Sequence, residues 1–385
     1  MPLGRPHRSL ALASAALLFA ALPACSRPRS SPKAEVPSAG RTAPAAEAPP
    51  PSEGSAEPSP AERAAVESAL GEARSLRKAR RHAEAIGVLE KALAARPPAG
   101  LAAKLLYARG EIEFREGQDA RAKEAHAEAE AAFARALATL DEVVRRYPRE
   151  ETAPSAAYLR GSSYLMLDDV RSARDAYRLA FDRYPGADAR AQALLRVGVC
   201  QAGLGETADA TATFRRLLAE FREPKHASQT SKAAKYLREL GLVGMRAPPI
   251  AADRWLHGLA APEGIETFSG EVVLLVFFAT WCENCAEEIP HLRRLIARWG
   301  GAGAVFLGVA NPDDPKNPLS PEAYVEKNGL RFHDVALDAG GKSWTAYRVD
   351  ALPAAAVIDR KGTIRWRGHP AFFPGPVVAN CLAER

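Results

Sequence analysis

Residues 271–290, EVVLLVFFATWCENCAEEIP, constrain this chain more than any other stretch. Val272 to Phe278 is an unbroken apolar run rich in Val and Phe, with the length and composition of a strand buried on both faces, as in a parallel sheet. Thr280-Trp281 follows, then Cys282-Glu283-Asn284-Cys285. Beyond it, Cys285, Ile289, Leu292, Ile296 and Trp299 recur at helical spacing on one apolar face. The two cysteines therefore sit where a buried strand hands over to the first turn of a helix. Thiols separated by two residues in such a turn can close a small disulfide. Cys282 lies nearest the unpaired N–H groups and the positive end of the helix dipole, both of which favour its thiolate. A strand, Cys-x-x-Cys and helix in that order read as thiol–disulfide exchange chemistry. The rival use, a zinc site, needs two more ligands, and His291, His333 and His369 show no paired spacing. No metal and no cofactor is expected.

At 385 residues the chain is too long for one ordinary core, so several domains are expected. The net charge of +6 is thinly spread, and residues 245–385 hold 15 Lys+Arg against 16 Asp+Glu. No run of Lys and Arg with interleaved aromatics occurs, which argues against nucleic-acid binding. Five cysteines, at 25, 200, 282, 285 and 381, are too few for a disulfide-stapled scaffold. Cys200 and Cys381 read as small buried apolar residues, and pairing them would require two domains to touch.

Residues 1–24 carry Arg5 and Arg8 before a largely apolar run from Leu10 to Leu22, too short to span a bilayer and suited to a secretory leader. The run ends Leu22-Pro23-Ala24-Cys25, which resembles the bacterial lipoprotein cleavage box, and this implies lipidation of Cys25. Ser26 resembles the outer-membrane sorting pattern. The expectation is an exported, lipid-anchored protein on the periplasmic side of the cell envelope, where disulfide chemistry is possible. Residues 25–60 are Pro, Ala, Ser and Glu with almost no large apolar side chain, and read as a disordered tether. About 35 such residues span about 30 Å as a coil and about 110 Å if fully extended in polyproline form.

From 61 to 242 the pattern is helical and Ala-rich, and it repeats. A shift of 37 residues aligns Gly161 with Gly198, Leu167 with Leu204, Ala173 with Ala210, Tyr177 with Phe214 and Tyr184 with Phe221. Small residues recur where paired helices approach, and aromatics where they fill the space between pairs. This is the signature of stacked helical hairpins. About four units are expected: 61–97, a longer irregular one near 99–148, 152–185 and 189–224, with a closing helix at 228–240. The pattern resembles tetratricopeptide repeats, and TAPSAAYLRGSSYLMLDDVRSARDAYRLAFDRYP is similar to those of bacterial envelope lipoproteins that assist outer-membrane assembly. The resemblance implies a surface for protein partners.

After Gly241–Pro249 breaks the helical pattern, strands and helices alternate: strands at 304–309, 332–337, 354–358 and 363–367, and a helix at 321–328. Residues 245–385 resemble the thioredoxin fold, and within it the TlpA/ResA-like thiol–disulfide oxidoreductases. The resemblance rests on Ala247-Pro248-Pro249, FFATWCENCAEEIP, Gly308-Val309 and VDALPAAAVIDRKGTI. It implies an all-α repeat array followed by an α/β thioredoxin-fold domain. It also implies Cys282 as the attacking thiol, Cys285 as the resolving one, and Pro353 as a cis-proline facing the disulfide. Trp281 would pack beside the site, and Glu288 would be a carboxylate able to exchange a proton with a thiol. Val276 replaces the buried Asp of ordinary thioredoxins, Ala354 a frequent Thr, and Glu283-Asn284 the Gly-Pro spacer.

Acidic residues around the motif disfavour the thiolate and make it a poorer leaving group, which predicts a reductant of protein disulfides. The resemblance implies a membrane-embedded thiol carrier as electron donor. A second reading makes the chain an assembly scaffold whose repeats do the main work, with the redox domain ancillary. A peroxide-reducing relative fits less well, because no activating Arg or Thr/Pro pocket accompanies Cys282 in the sequence.

Overall fold

The computed structural model describes residues 57–186, 189–256, 264–312 and 314–384. The leader, Cys25 and the tether up to residue 56 lie outside the described residues. No described helix is long and apolar enough to cross a membrane.

The N-terminal half is built of antiparallel helical hairpins: α1 (Pro60–Lys78) with α2 (His82–Ala94), α3 (Ala99–Ala122) with α4 (His126–Arg146), α5 (Ala153–Met166) with α6 (Val170–Arg183), and α7 (Arg190–Gly203) with α8 (Thr207–Glu220). A closing helix, α9 (Ala227–Leu240), follows. The array starts on a capping box, in which Ser59 and Glu62 satisfy each other's backbone N–H groups. The repeat has a steric cause. A Cβ on Gly161 would lie 2.7 Å from the Tyr177 ring, and one on Gly198 2.5 Å from the Phe214 ring. The 99–148 unit, expected to be irregular, obeys the same rule: a Cβ on Gly117 would meet Phe133 at 2.6 Å. Its helices are longer, which hid the repeat from a fixed shift of 37.

The first and second helices of each hairpin meet in a tight turn with one residue at positive φ: Arg80 (58°), Glu124 (60°), Asp168 (59°) and Gly205 (79°). Only the last is glycine. A Cβ on Gly205 would stand 2.9 Å from Val377 of the C-terminal domain, so position 205 combines left-handed backbone with close approach.

The C-terminal half is an α/β domain. Its elements are β1 (Arg254–Trp255), β2 (Val272–Phe277), α10 (Glu283–Glu287), α11 (Ile289–Leu295), β3 (Ala304–Ala310), α12 (Pro321–Lys327), β4 (Asp334–Leu337), α13 (Lys342–Ala346), β5 (Ala354–Ile358), β6 (Ile364–Gly368) and α14 (Gly375–Ala383). The sheet order is β1-β4-β3-β2-β5-β6, with β2, β3 and β4 parallel and β1, β5 and β6 antiparallel to their neighbours. All of β2 is buried. Val272, Leu274 and Val276 face one apolar layer with Leu292 and Val378, while Val273, Leu275 and Phe277 face a second with Trp255 and Tyr347. A repeat array followed by an α/β domain is the fold class the sequence predicts.

The domains pack against each other. Phe372 joins the apolar cluster of the array, the Arg196 guanidinium lies 5.5 Å from its ring, and Glu124 is ion-paired to Arg293. Deeper in, Glu239 of α9 lies 3.9 Å from Arg367 of β6, both buried.

Candidate active site

Cys282 caps α10: its Sγ accepts the Cys285 backbone N–H at 3.1 Å. The two are joined as a disulfide, with Cα atoms 5.2 Å apart. Both are buried, whereas Trp281 is 39% exposed. That arrangement follows from the chain direction: β2, an interior strand, runs out at one end of the sheet, and Ala279–Trp281 carry the backbone on before α10 begins.

The expected single helix after the motif is two helices. α10 ends at Glu287, Glu288 caps both helices, and α11 starts at Ile289 with Pro290 in its first turn. Proline has no N–H to donate and its ring crowds the carbonyl one turn earlier, which breaks the ladder there. The apolar face survives, since Cys285, Ile289 and Leu292 are all buried.

Trp281 is held by the loop between β3 and α12, which the sequence marks as a Pro/Asn loop but to which it gives no part in the site. Its indole N–H donates to Asp314 at 2.7 Å, and Lys316 Nζ lies 5.1 Å from the ring. The Thr280 hydroxyl is 2.9 Å from both Asn317 Oδ1 and Leu319 O. The run NPDDPKNPLS offered a signal, because Asp and Asn in a Pro-rich loop are turn-formers with free acceptors.

Pro353 is buried, and the Leu352–Pro353 bond is cis. Ala354 pairs with Phe277, so the 350–353 loop and the cysteine pair share one end of the sheet. Val276 lies in the apolar layer. Glu288 sits one turn beyond Cys285, half-buried in a cleft of about 520 Å³ between the domains. Arg121, Met166 and Asp168 of the array line this cleft opposite Glu288, His291 and Arg294. Burial pushes the Glu288 carboxyl above the usual carboxylate range, against the pull of Arg121. The structure thus brings Cys282, Cys285, Trp281 and the Pro353 loop to one sheet end, and turns Glu288 toward the array.

Burial also lowers His291 to about 4 and His369 to about 4. His291 Nε2–H donates to Pro370 O at 3.1 Å, and His369 Nδ1 accepts the Ala371 N–H at 3.1 Å. Cys200 and Cys381 are buried free thiols, and burial raises Cys200 to about 12.

Residues 243–367 match the AhpC/TSA family. The C-terminal domain is an AhpC/TSA-family domain with the thioredoxin fold. Upstream of this AhpC/TSA domain, residues 155–187 and 192–223 match the tetratricopeptide repeat. The chain is 33% identical over 101 residues to the thiol-disulfide oxidoreductase ResA of Geobacillus kaustophilus strain HTA426, covering 26% of this chain and 56% of that protein. It is 33% identical over 98 residues to ResA of Geobacillus thermodenitrificans strain NG80-2, covering 26% and 54%. The chain therefore spans about half the length of these relatives. Among solved structures it is similar to the exposed lipoprotein thioredoxin of Streptococcus pneumoniae strain TIGR4, with 28% identity, 31% of this chain and 90% of that one covered, and a TM-score of 0.26.

Proposed function

We propose that this chain is a thiol–disulfide oxidoreductase of the cell envelope, a reductant of protein disulfides acting through Cys282 and Cys285. The observation that carries the reading is the cysteine pair at the start of α10, with the Cys285 N–H directed at Cys282 Sγ. In the reduced chain that donor favours the Cys282 thiolate. The thiolate attacks one sulfur of a substrate disulfide, and the other substrate sulfur leaves as a thiolate and takes up a proton. The Cys285 thiolate then attacks Cys282 Sγ, the second substrate thiol leaves, and the Cys282–Cys285 disulfide remains. Two electrons pass to the substrate, and a dithiol donor, such as a membrane thiol carrier, returns them. Trp281 and the Pro353 loop flank the substrate.

The repeats bind protein partners. Cys25 carries the lipid, and residues 26–60 lift the folded part off the outer membrane on its periplasmic side. The leader pattern and the tether composition support this reading.

The test is insulin reduction by the full chain, with equilibration against a glutathione redox series. We expect turnover that is lost in Cys282→Ser, and a reducing equilibrium. Turnover surviving in Cys282→Ser overturns the chemistry, and an oxidising equilibrium overturns the direction. Fatty-acid labelling that persists in Cys25→Ala overturns the anchor.

A further inference from the structure

The loop that completes the site is held from outside its own domain. Arg367, 2% exposed, donates from Nε to Tyr347 O at 3.1 Å, from Nη1 to Ala355 O at 3.4 Å and Gly368 O at 3.2 Å, and from Nη2 to Arg348 O at 3.4 Å. One guanidinium therefore ties both flanks of residues 349–354, the segment at the same sheet end as the cysteine pair. Its carboxylate neighbour comes from the array: Glu239 Oε1 is 3.9 Å from Arg367 Nη1 and 3.7 Å from Lys235 Nζ. Two further ties join the same helix to the same loop. Arg238 donates to Asp350 at 2.6 Å, and Arg348 donates to the Arg238 carbonyl at 2.8 Å. That carbonyl belongs to the C-terminal turn of α9, where backbone oxygens lack helical partners and attract a cation.

We propose that α9 of the repeat array is part of the redox site. In this arrangement Glu239, acting through Arg367, and Arg238, acting through Asp350, are positioning residues that fix the 347–355 loop for a substrate polypeptide. The inference rests on the oxidoreductase reading above. It follows from where the contacts fall: they hold the loop on which a substrate backbone would lie, and none reaches the cysteines. Loosening α9 should therefore weaken substrate binding and leave the thiol's own reactivity alone. It also gives a partner seated on the array a mechanical route to the site, because α9 closes the array and grips the loop.

The experiment uses the full chain, with insulin as the substrate and iodoacetamide as a small probe of reduced Cys282. The variants are Glu239→Gln, Arg238→Glu, Asp350→Arg, and the last two combined. Arg238 and Asp350 are exposed, so their variants fold even if Glu239→Gln does not. Each single change should raise the insulin KM about threefold to tenfold. The kcat and the alkylation rate should stay unchanged, and the charge-swapped pair should restore KM to within about twofold. An unaltered KM in the Arg238 and Asp350 variants overturns the inference. So does a swap that fails to restore it, or an alkylation rate that falls in step with KM. Insulin turnover by the unsubstituted chain separates the two levels: without it the oxidoreductase reading falls and takes this inference with it, and with it unaffected variants refute the inference alone.

Discussion

Gly117, Gly161 and Gly198 stand at one constant interval before Phe133, Tyr177 and Phe214, and each leaves a gap that only a ring can fill. Adding a methyl group there puts carbon inside the ring's contact distance. Gly198→Ala should destabilise the array by about 1–3 kcal/mol, read from the urea midpoint, while Gly87→Ala, with nothing within 4 Å, should not. At the other end of the chain the single-residue logic is chemical. Cys285 N–H supports Cys282 Sγ, and in the proposed mechanism Cys285 releases a substrate held there. Cys285→Ser should therefore accumulate mixed disulfides, visible as a mass increase removed by dithiothreitol. Recovery of the free chain alone would contradict the assignment of attacking and resolving thiols.

At the scale of elements, the turns of the array matter as much as its helices. The left-handed positions Glu124, Asp168 and Gly205 recur in successive hairpins, and each faces the C-terminal domain: Glu124 meets Arg293, Asp168 lines the cleft with His291 and Arg294, and Gly205 meets Val377. The segment from His369 to Phe372 completes this junction and buries the His369 ring. His291 and His369 are held near 4, against 6.5 for a free ring. Between those values the unfolded chain binds the extra protons. The stabilisation is thus complete above pH 6.5 and lost progressively as pH falls toward 4. Arg294 and Arg121 disfavour a charged His291 ring while Asp168 and the Pro370 carbonyl favour it, and Lys235, His291 and Arg196 disfavour a charged His369 ring. Urea midpoints should decline across that window, and replacing both histidines with Gln should flatten the decline. A slope unchanged by the double replacement would assign the acid sensitivity to other groups.

Across the whole molecule, the array and the thioredoxin-fold domain share buried charge. Removing one partner of such a pair strands the other. Glu239→Ala should cost about 3 kcal/mol by denaturant unfolding, and more than Arg238→Ala, whose pair is exposed. Much of the molecule was legible from the chain alone. Local chemistry announces itself in local pattern: the unbroken apolar run of β2, the Cys-x-x-Cys at its exit, and the small and aromatic residues of the repeat each reflect forces between near neighbours. What sequence spacing could not convey is which surfaces meet. The break at Pro290 was there to be read, yet the turning of Glu288 toward Arg121 was not. Nor was the Asp314 hold on Trp281, or the pairing of Glu239 with Arg367, residues far apart in the chain that become neighbours only because two apolar faces exclude water together. The residues themselves determined an α-helical repeat, an α/β domain and a dithiol. Tertiary packing alone decided that the repeat would lie against the dithiol's own loop, because burial, charge pairing and close approach depend on distances that one dimension does not contain.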